Sequence, residues 1–456
     1  MSTLIHGGTV VAGNEVFDGG SVVLRGGRIV SVEARSNELP TAFDGEVVDA
    51  QGCIVMPGLV NSHTHGVTPG PMMPSAGAPL DQDTWMSNLD RHLLAGTTTV
   101  LNLCGLASMD EVREADRRHA VHVRGATTHS PSAVLAAENS DGGGLSSAVR
   151  LLTIERMIED GAVAIGELGG GQTLGGGGQD LIYIPAAIEK RTGVRVSAAQ
   201  ARRMKEAALG RFIDVEDFDP EALSSAAQDA GLGGRITDED LHALIASSVL
   251  PSFEPAIDGI KEGVQAALRY GVPAIVHSAS ATARVMRELM EDSSIAGAQV
   301  IAAHANHPSH TPREAYELAV RGREHGWAAE ASVFDLLHRR HIVDSREHWD
   351  ALLSEPGLVS MLATDYGKGG EHDELISAVQ DVFTRGHRSL PEAVALATSA
   401  VAELIPGIAP NTGELRVGLV ADVVVTDASD FRDVKSVFVD GECVVRDGQL
   451  TQGAHR

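Results

Sequence analysis

The chain has 456 residues, of which 43% are hydrophobic and 21% charged, and its formal net charge is −26. This balance is that of a globular protein with a large core, and the length suits one barrel plus an accessory domain better than one small domain. A strongly acidic chain repels nucleic acid and anionic lipid, so neither is expected as a partner.

The three cysteines, Cys53, Cys104 and Cys443, are far apart and form no CxxC pair. Their spacing argues against a disulfide framework and against a cysteine zinc site. The N-terminus shows no signal-peptide pattern, and no run of about 18 apolar residues indicates a membrane span. We therefore expect a cytoplasmic protein that does not bind membranes.

Both ends of the chain show the pattern of short strands. Near the N-terminus, short runs in which apolar and polar residues alternate are separated by glycine pairs, and the same texture returns in 421–426 and 436–441. Such runs between glycine turns predict strands and tight turns. We expect residues 1–56 and 407–456 to form one small β-sandwich domain built from both termini.

The middle of the chain alternates strand-like apolar runs with amphipathic segments. The eight predicted strands are Cys53–Met56, Thr98–Asn102, Val121–Thr127, Ala162–Gly166, Ala274–Val276, Gln299–Ala303, Trp327–Ala331 and Leu358–Ala363. The predicted helical segments include Asp110–His119, Ala148–Glu159, Ile257–Tyr270 and Pro312–His325. Eight strands alternating with helices predict an α/β fold, a distorted (β/α)8 TIM-like barrel, which we assign to residues 57–406.

One segment breaks this alternation. No clear strand is found between Leu168 and Pro251, where a glycine-rich run leads into helical pieces such as Ala198–Arg211 and Asp219–Ala230. We predict a helical insertion at about 169–250. A long excursion from the top of a barrel often covers the active site, so a lid and a purely structural element are both open interpretations.

Residues able to bind metal ions stand at the ends of the predicted strands. His63 and His65 follow the first strand, and side chains two residues apart on an extended chain point to the same side, so both imidazoles can reach one ion. Four more candidates follow later strands: Glu167 the fourth, His277 the fifth, His304 the sixth and Asp365 the eighth. Because barrel active sites lie at the C-terminal ends of strands, this pattern predicts a metal site.

Three segments carry a resemblance to the amidohydrolase superfamily. The block Pro57–His65 resembles its strand-one signature, and Asn411–Val425 resembles its C-terminal block. Gly166–Gly169 is similar to a segment of enamidase-like cyclic amidases, in which a glutamate bridges two metal ions where many relatives use a carboxylated lysine. The resemblance implies a hydrolase acting on carbon–nitrogen or related bonds, a homo-oligomer and a small-molecule substrate.

The resemblance also implies a role for each candidate ligand. His63, His65 and Asp365 would hold a buried ion, His277 and His304 would hold a more exposed one, and Glu167 would bridge the pair. A site rich in nitrogen and oxygen suits zinc, and manganese, iron and cobalt also fit it.

Two such ions would lower the pKa of a shared water and polarise the substrate carbonyl, so that a bridging hydroxide attacks. Asp365 would take the proton and pass it to the leaving nitrogen. The expected activity is hydrolysis of an amide, cyclic amide, urea or carbamate.

Two other functions are considered. The first is a heterocycle aminohydrolase of the same superfamily, which usually carries an HxxE motif; neither 277–280 nor 304–307 provides one. The second is a non-catalytic barrel scaffold, which typically loses ligands, whereas this chain keeps all six. Both alternatives are therefore less favoured than the binuclear hydrolase.

Four further residues are weaker candidates. His129, at the end of the third strand, is a candidate catalytic donor to the substrate or the oxyanion, with a structural histidine as the alternative. Tyr183 in the insertion, His307 just past the sixth strand and Tyr366 after the eighth are candidate substrate residues. A solvated loop position for His307 and an outer position for Tyr366 are the alternatives.

Overall fold

The computed structural model describes residues 2–34, 43–73, 75, 77–170, 179–213, 215–334, 346–365 and 373–456. The strands are β1 (Ser2–Ala12), β2 (Glu15–Arg25), β3 (Arg28–Glu33), β4 (Glu46–Asp49), β5 (Cys53–Pro57), β6 (Leu59–Thr64), β7 (Thr97–Asn102), β8 (His122–Thr127), β9 (Ala164–Leu168), β10 (Ala274–His277), β11 (Val300–Ala303), β12 (Ala328–Ser332), β13 (Met361–Ala363), β14 (Val423–Asp427), β15 (Val434–Val439), β16 (Glu442–Arg446) and β17 (Gln449–Leu450).

The α-helices are α1 (Gln82–Leu94), α2 (Met109–Arg118), α3 (Pro131–Ser140), α4 (Ile154–Glu159), α5 (Ile184–Thr192), α6 (Ala198–Leu209), α7 (Pro220–Asp229), α8 (Asp238–Tyr270), α9 (Ala283–Glu291), α10 (Pro312–Glu324), α11 (Arg346–Leu353), α12 (Leu375–Thr384), α13 (Leu390–Ala395) and α14 (Ser399–Leu404). Within the described ranges, none of these helices has both the length and the apolar character that crossing a membrane requires.

The strands of both termini form one nine-stranded sheet. Its order is β17-β16-β15-β14-β5-β1-β2-β3, with β4 beside β1. The pairs are antiparallel except those of β1 with β4 and β5. One apolar layer, which includes Ile5, Val22, Leu24 and Phe438, packs on this sheet. The small β domain built from both termini is thereby confirmed, while its exact limits stay a prediction.

The second sheet is the barrel. Its eight strands run parallel in the order β6 to β13. Beside the last strand, the amide Nδ2 of Asn61 donates to Oγ1 of Thr364 over 2.8 Å, which joins the two edges of the sheet. An apolar cluster that includes Val60, Ile275 and Met361 packs with Val401 of α14 and fills the interior near the strand starts. The predicted (β/α)8 barrel is confirmed. Polar side chains lie at the C-terminal ends of its strands.

The prediction of the first barrel strand is wrong. Cys53–Met56 belongs, as β5, to the terminal sheet, where it pairs with β1 and β14. The first barrel strand is β6, which is fully buried although it contains Asn61, Ser62 and His63. These polar side chains meet polar partners inside the protein, so hydrophobicity alone did not reveal the strand. The other seven predicted strands match β7 to β13 with ends shifted by a few residues.

The predicted insertion is mainly helical in its described part. Helices α5, α6, α7 and the first part of α8 enclose their own apolar cluster, which includes Ile188, Met204, Leu223 and Ile245. Helix α8 continues into the barrel through Pro251 and Pro255. Because Pro255 has no N–H, the Pro251 carbonyl loses its helical partner, and Nδ2 of Asn139 donates to it over 2.7 Å.

An ion pair holds the insertion against the barrel. The Arg211 guanidinium donates to both carboxylate oxygens of Glu314 on α10, over 2.9 and 2.6 Å, and to the Ser309 carbonyl over 3.1 Å. The Arg211 hydrogen bonds lower the pKa of Glu314 to about 2, so the pair stays ionised at any pH well above that value. The insertion is thus fixed to the loop that follows β11.

We expect Arg211→Ala to loosen the insertion without unfolding the barrel. Both side chains are partly exposed, so solvent screening limits the contribution of this pair to about 1 kcal/mol. Local opening should then rise about fivefold, measured as the rate of protease cleavage inside the insertion at unchanged melting temperature. The control is Arg203→Ala on α6, whose contact to Asp229 is long, at 3.8 Å. Equal cleavage rates in the two variants would contradict the docking role.

Candidate metal centre

Four histidines, one glutamate and one aspartate converge at the C-terminal ends of five barrel strands. His63 lies in β6 with His65 directly after it, Glu167 lies in β9, His277 ends β10, His304 follows β11, and Asp365 lies just past β13. All are less than a tenth exposed except Asp365. The structure therefore brings all six sequence-predicted ligands into one buried cluster.

Glu167 stands between two histidine pairs. Its Oε1 lies 2.6 Å from Nδ1 of His277 and 3.0 Å from Nε2 of His304. Its Oε2 lies 3.8 Å from Nε2 of His63 and 4.0 Å from Nε2 of His65. Each carboxylate oxygen thus faces a different pair of imidazoles, which is the placement a bridging ligand needs.

Gly170 packs directly on this carboxylate. A Cβ built at Gly170 would overlap Oε2 and Cδ of Glu167. Close packing therefore explains the glycine at position 170, because any side chain there would displace the carboxylate of Glu167.

Asp365 closes the cluster on the side of His65. Its Oδ1 lies 3.4 Å from Nε2 of His65, 3.6 Å from Nε2 of His63 and 4.0 Å from Nε2 of His304. Its side chain is 26% exposed, whereas that of Glu167 is 3% exposed. Asp365 is therefore the carboxylate of the cluster that solvent or a substrate can reach.

Both carboxylates are held in their ionised form. Burial opposes ionisation of Glu167, but the charges of His277 and His63 and hydrogen bonds from His277 and His304 hold its pKa well below the usual range. Burial also opposes ionisation of Asp365, and the charge of His304 and a hydrogen bond from His65 lower its pKa. The cluster thus contains two negatively charged carboxylates, those of Glu167 and Asp365, surrounded by imidazole nitrogens.

The donor atoms fit divalent metal ions. Nε2 of His63 is buried, finds no hydrogen-bond partner among the described residues, and faces the carboxylates of Glu167 and Asp365. Two groups of possible ligand atoms share Glu167, one with His63 and His65 and one with His277 and His304. Imidazole nitrogen with carboxylate oxygen is a donor set typical of zinc and similar ions.

Two members of the cluster have unusual backbones. His304 has a φ of 49° and Asp365 a φ of 54°. The left-handed region is uncommon for residues other than glycine and costs of order 1 kcal/mol or more, and such residues concentrate at functional sites. The fold thus maintains both side chains in place against a local conformational preference.

The sequence analysis missed one buried acid beside the cluster, Glu330 of β12. Its Oε1 lies 3.1 Å from Nδ1 of His63, and its Oε2 accepts a hydrogen bond from Ser62 over 2.9 Å. Burial opposes its ionisation, but the charge and hydrogen bond of His63 lower its pKa. The sequence offered one signal for it, a single glutamate within a strand of alanine and serine. Acidic side chains are almost never fully buried without a partner, so an acid in a buried strand indicates a polar partner nearby.

His307 lies at the edge of the cluster. Its ring centroid is 5.3 Å from that of His277, and its Nδ1 lies 2.8 Å from Oγ of Ser309. Burial lowers its pKa well below the usual range, helped by the charges of His277 and Arg202. A neutral imidazole therefore stands next to the candidate ligands, and Arg202 brings helix α6 of the insertion near it.

The other weaker candidates lie apart from the cluster. His129 lines a cleft with Glu262 and Tyr270, its Nδ1 lies 2.9 Å from Oγ1 of Thr127, and burial lowers its pKa to about 4. Burial raises the pKa of Tyr183, whose polar neighbours are Ser75 and Asp141. The structure does not bring His129 or Tyr183 to the six ligands, and Tyr366 lies outside the described residues.

Comparison with known proteins finds a match to one family model. Residues 237–444 match the model of the amidohydrolase family. A D-hydantoinase of Geobacillus stearothermophilus is 29% identical over 104 residues, which cover 23% of this chain and 20% of the relative. The chain thus matches about a fifth of that curated relative.

Solved structures match over nearly the whole chain. A D-hydantoinase crystal structure has a TM-score of 0.58 and 16% identity, covering 99% of this chain and 96% of the other. A beta-aspartyl dipeptidase from Fervidobacterium islandicum AW-1, solved with beta-Asp-Leu dipeptide, has a TM-score of 0.57 and 13% identity, covering 99% and 98%. At such low identity these structures show the shared fold. The family model matches residues 237–444, and the solved structures share the fold of nearly the whole chain, so this chain is similar to proteins of the amidohydrolase family.

Proposed function

We propose that this protein hydrolyses a carbon–nitrogen bond of an amide, cyclic amide, urea or carbamate with the help of two divalent metal ions. The observation that carries the proposal is the position of Glu167, whose two carboxylate oxygens face two separate pairs of histidines. A site for one ion requires only one of these pairs, whereas a bridging carboxylate between two ions requires both. The relatives named for cyclic amide hydrolysis, such as the D-hydantoinase, favour cyclic amides among these substrates.

The chain offers ligands for two ions. His63, His65 and Asp365 would hold one, His277 and His304 the other, and Glu167 would bridge them. We propose zinc, because the donor set holds imidazole and carboxylate and no thiolate. When bound, such ions polarise a substrate carbonyl and lower the pKa of a water molecule toward neutrality.

The residues of the chain account for the remaining steps. Asp365, the partly exposed carboxylate, accepts the proton of the attacking water at Oδ and returns it to the leaving nitrogen, which is a poor leaving group unless protonated. His307 is placed to contact the substrate, because it borders the cluster as a neutral imidazole. Burial of the remaining ligands keeps competing water away from them.

We also propose that the protein is a cytoplasmic homo-oligomer acting on a small molecule. Three free cysteines in the described structure suit a reducing compartment. The oligomeric state rests on the resemblance to the superfamily.

Metal analysis combined with a substrate screen tests the function. We expect about two ions per chain in protein purified with metal, loss of activity on chelation, and recovery on adding zinc. The screen compares cyclic amides, ureas and carbamates with aminated heterocycles. Ammonia release from heterocycles without amide cleavage would favour the aminohydrolase instead, and protein that stays metal-free in excess metal would contradict both.

A further inference from the structure

The buried carboxylate of Glu330 connects two candidate ligands that belong to different ions in the proposed function. Glu330 is fully buried on β12, in the strand layer below the cluster. Its Oε1 faces Nδ1 of His63 at 3.1 Å and accepts the hydroxyl of Ser332 over 3.2 Å. Its Oε2 accepts the hydroxyl of Ser62 over 2.9 Å.

These contacts determine which nitrogen of His63 carries the proton. A carboxylate only accepts hydrogen bonds, so Nδ1 of His63 must be the donor, and in the neutral imidazole, the form that binds a metal ion, Nε2 is the nitrogen with the lone pair. Nε2 is the atom that faces Glu167 and Asp365, and it makes no hydrogen bond within the described part of the chain. Glu330 thus directs the free electron pair of His63 into the cluster.

Ser332 extends the same control to His304. Its hydroxyl donates to Glu330, so its oxygen accepts from Nδ1 of His304, which lies 2.9 Å away. Nδ1 of His304 is therefore a donor, and in the neutral imidazole Nε2, which faces Glu167 at 3.0 Å, is the nitrogen left for a metal ion. His277 differs, because its Nδ1 faces Glu167 and its Nε2 has no hydrogen-bond partner in the residues that the structure describes.

We propose that Glu330 is a positioning residue that orients His63 directly and His304 through Ser332, and so contributes to the affinity of both metal ions. This inference rests on the proposed two-ion function. Outer carboxylates that hold ligating histidines commonly change metal affinity by about 10- to 100-fold when removed. Here one carboxylate serves both ions, so its loss affects both.

The test measures zinc affinity by competition with a chromophoric chelator. Glu330→Leu is expected to weaken both ions about 10- to 100-fold. Glu330→Gln should keep affinity within about tenfold of wild type, because its amide oxygen can accept from His63 and Ser332 while its amide nitrogen donates to Ser62. If Glu330→Gln keeps its metal affinity and Glu330→Leu does not, the hydrogen bonds of residue 330 are needed, and a side chain that only fills the space is not enough.

Ser332→Ala distinguishes the direct contact of Glu330 with His63 from its indirect contact with His304 through Ser332. It removes the acceptor of His304 and leaves the contact between Glu330 and His63 intact. We expect one ion to become easier to remove while the other keeps its wild-type affinity.

Glu262→Leu is the matched control. Glu262 also accepts a serine hydroxyl, from Ser132 over 2.7 Å, but lies on α8 away from the cluster. Circular dichroism and the melting temperature of each metal-free variant check folding. Unchanged affinity for both ions in Glu330→Leu, or loss of both in Ser332→Ala, overturns the proposal that Glu330 orients His63 directly and His304 through Ser332. Wild-type protein that binds no zinc would instead contradict the proposed function itself.

Discussion

Glu167→Ala is expected to lose most of its bound metal and to lower kcat/KM by on the order of 10³-fold or more. Glu167 supplies the carboxylate that both histidine pairs face, with contacts from 2.6 Å at His277 to 4.0 Å at His65. Without it, each proposed ion loses a ligand and the two lose the anion that offsets their mutual repulsion. Metal content by elemental analysis and steady-state kinetics measure the effect.

Tyr183→Phe is the control for this prediction. Tyr183 lies next to Ser75 and Asp141 and not among the six ligands, so its variant should keep wild-type metal content. Gly170→Ala offers a milder test of the same carboxylate, because the added Cβ would overlap Glu167 without removing it. Wild-type activity in Glu167→Ala would rule out the bridging role.

The barrel could be predicted because most of its strands are buried along their whole length. Strands such as β10 and β11 read as continuous apolar runs, as expected of parallel strands covered on both faces. The first barrel strand could not be predicted in this way, because β6 is equally buried but rich in polar residues. The cost of burying these polar side chains is offset by hydrogen bonds such as the one from Asn61 to Thr364. These two residues lie near opposite ends of the barrel segment in sequence.

The six ligands could be predicted because each stands at a strand end, where a barrel gathers its functional groups. Glu330 could not be placed in the same way. Its partners Ser62 and His63 lie more than half the chain away in sequence, so only the closed barrel reveals the contact.

His129 shows the limit of reasoning from strand ends. Thr128 lines the cavity beside Glu167, whereas the next residue lines the outer cleft with Glu262. Successive side chains of an extended chain point to opposite sides, so a shift of one residue decides whether a side chain reaches the site.

Asp365→Asn is expected to lower kcat by about 10²- to 10⁴-fold while retaining most of the metal. Asparagine keeps an oxygen that can face His65, and it tolerates the left-handed backbone of this position. It has no carboxylate to accept a proton from water and return it to the leaving nitrogen. The loss should therefore fall on kcat, with KM changed little.

The leaving group provides the sharper test of this role. If Asp365 delivers a proton to nitrogen, Asp365→Asn should impair an amide far more than a matched ester, whose alkoxide needs less help to depart. Asp292→Asn, an exposed cap on the barrel surface, is the control for the substitution itself. Equal losses on both substrates, or a loss that follows metal content, would show that Asp365 acts as a ligand alone. The ratio of the two rates thus separates metal binding from proton transfer at one carboxylate.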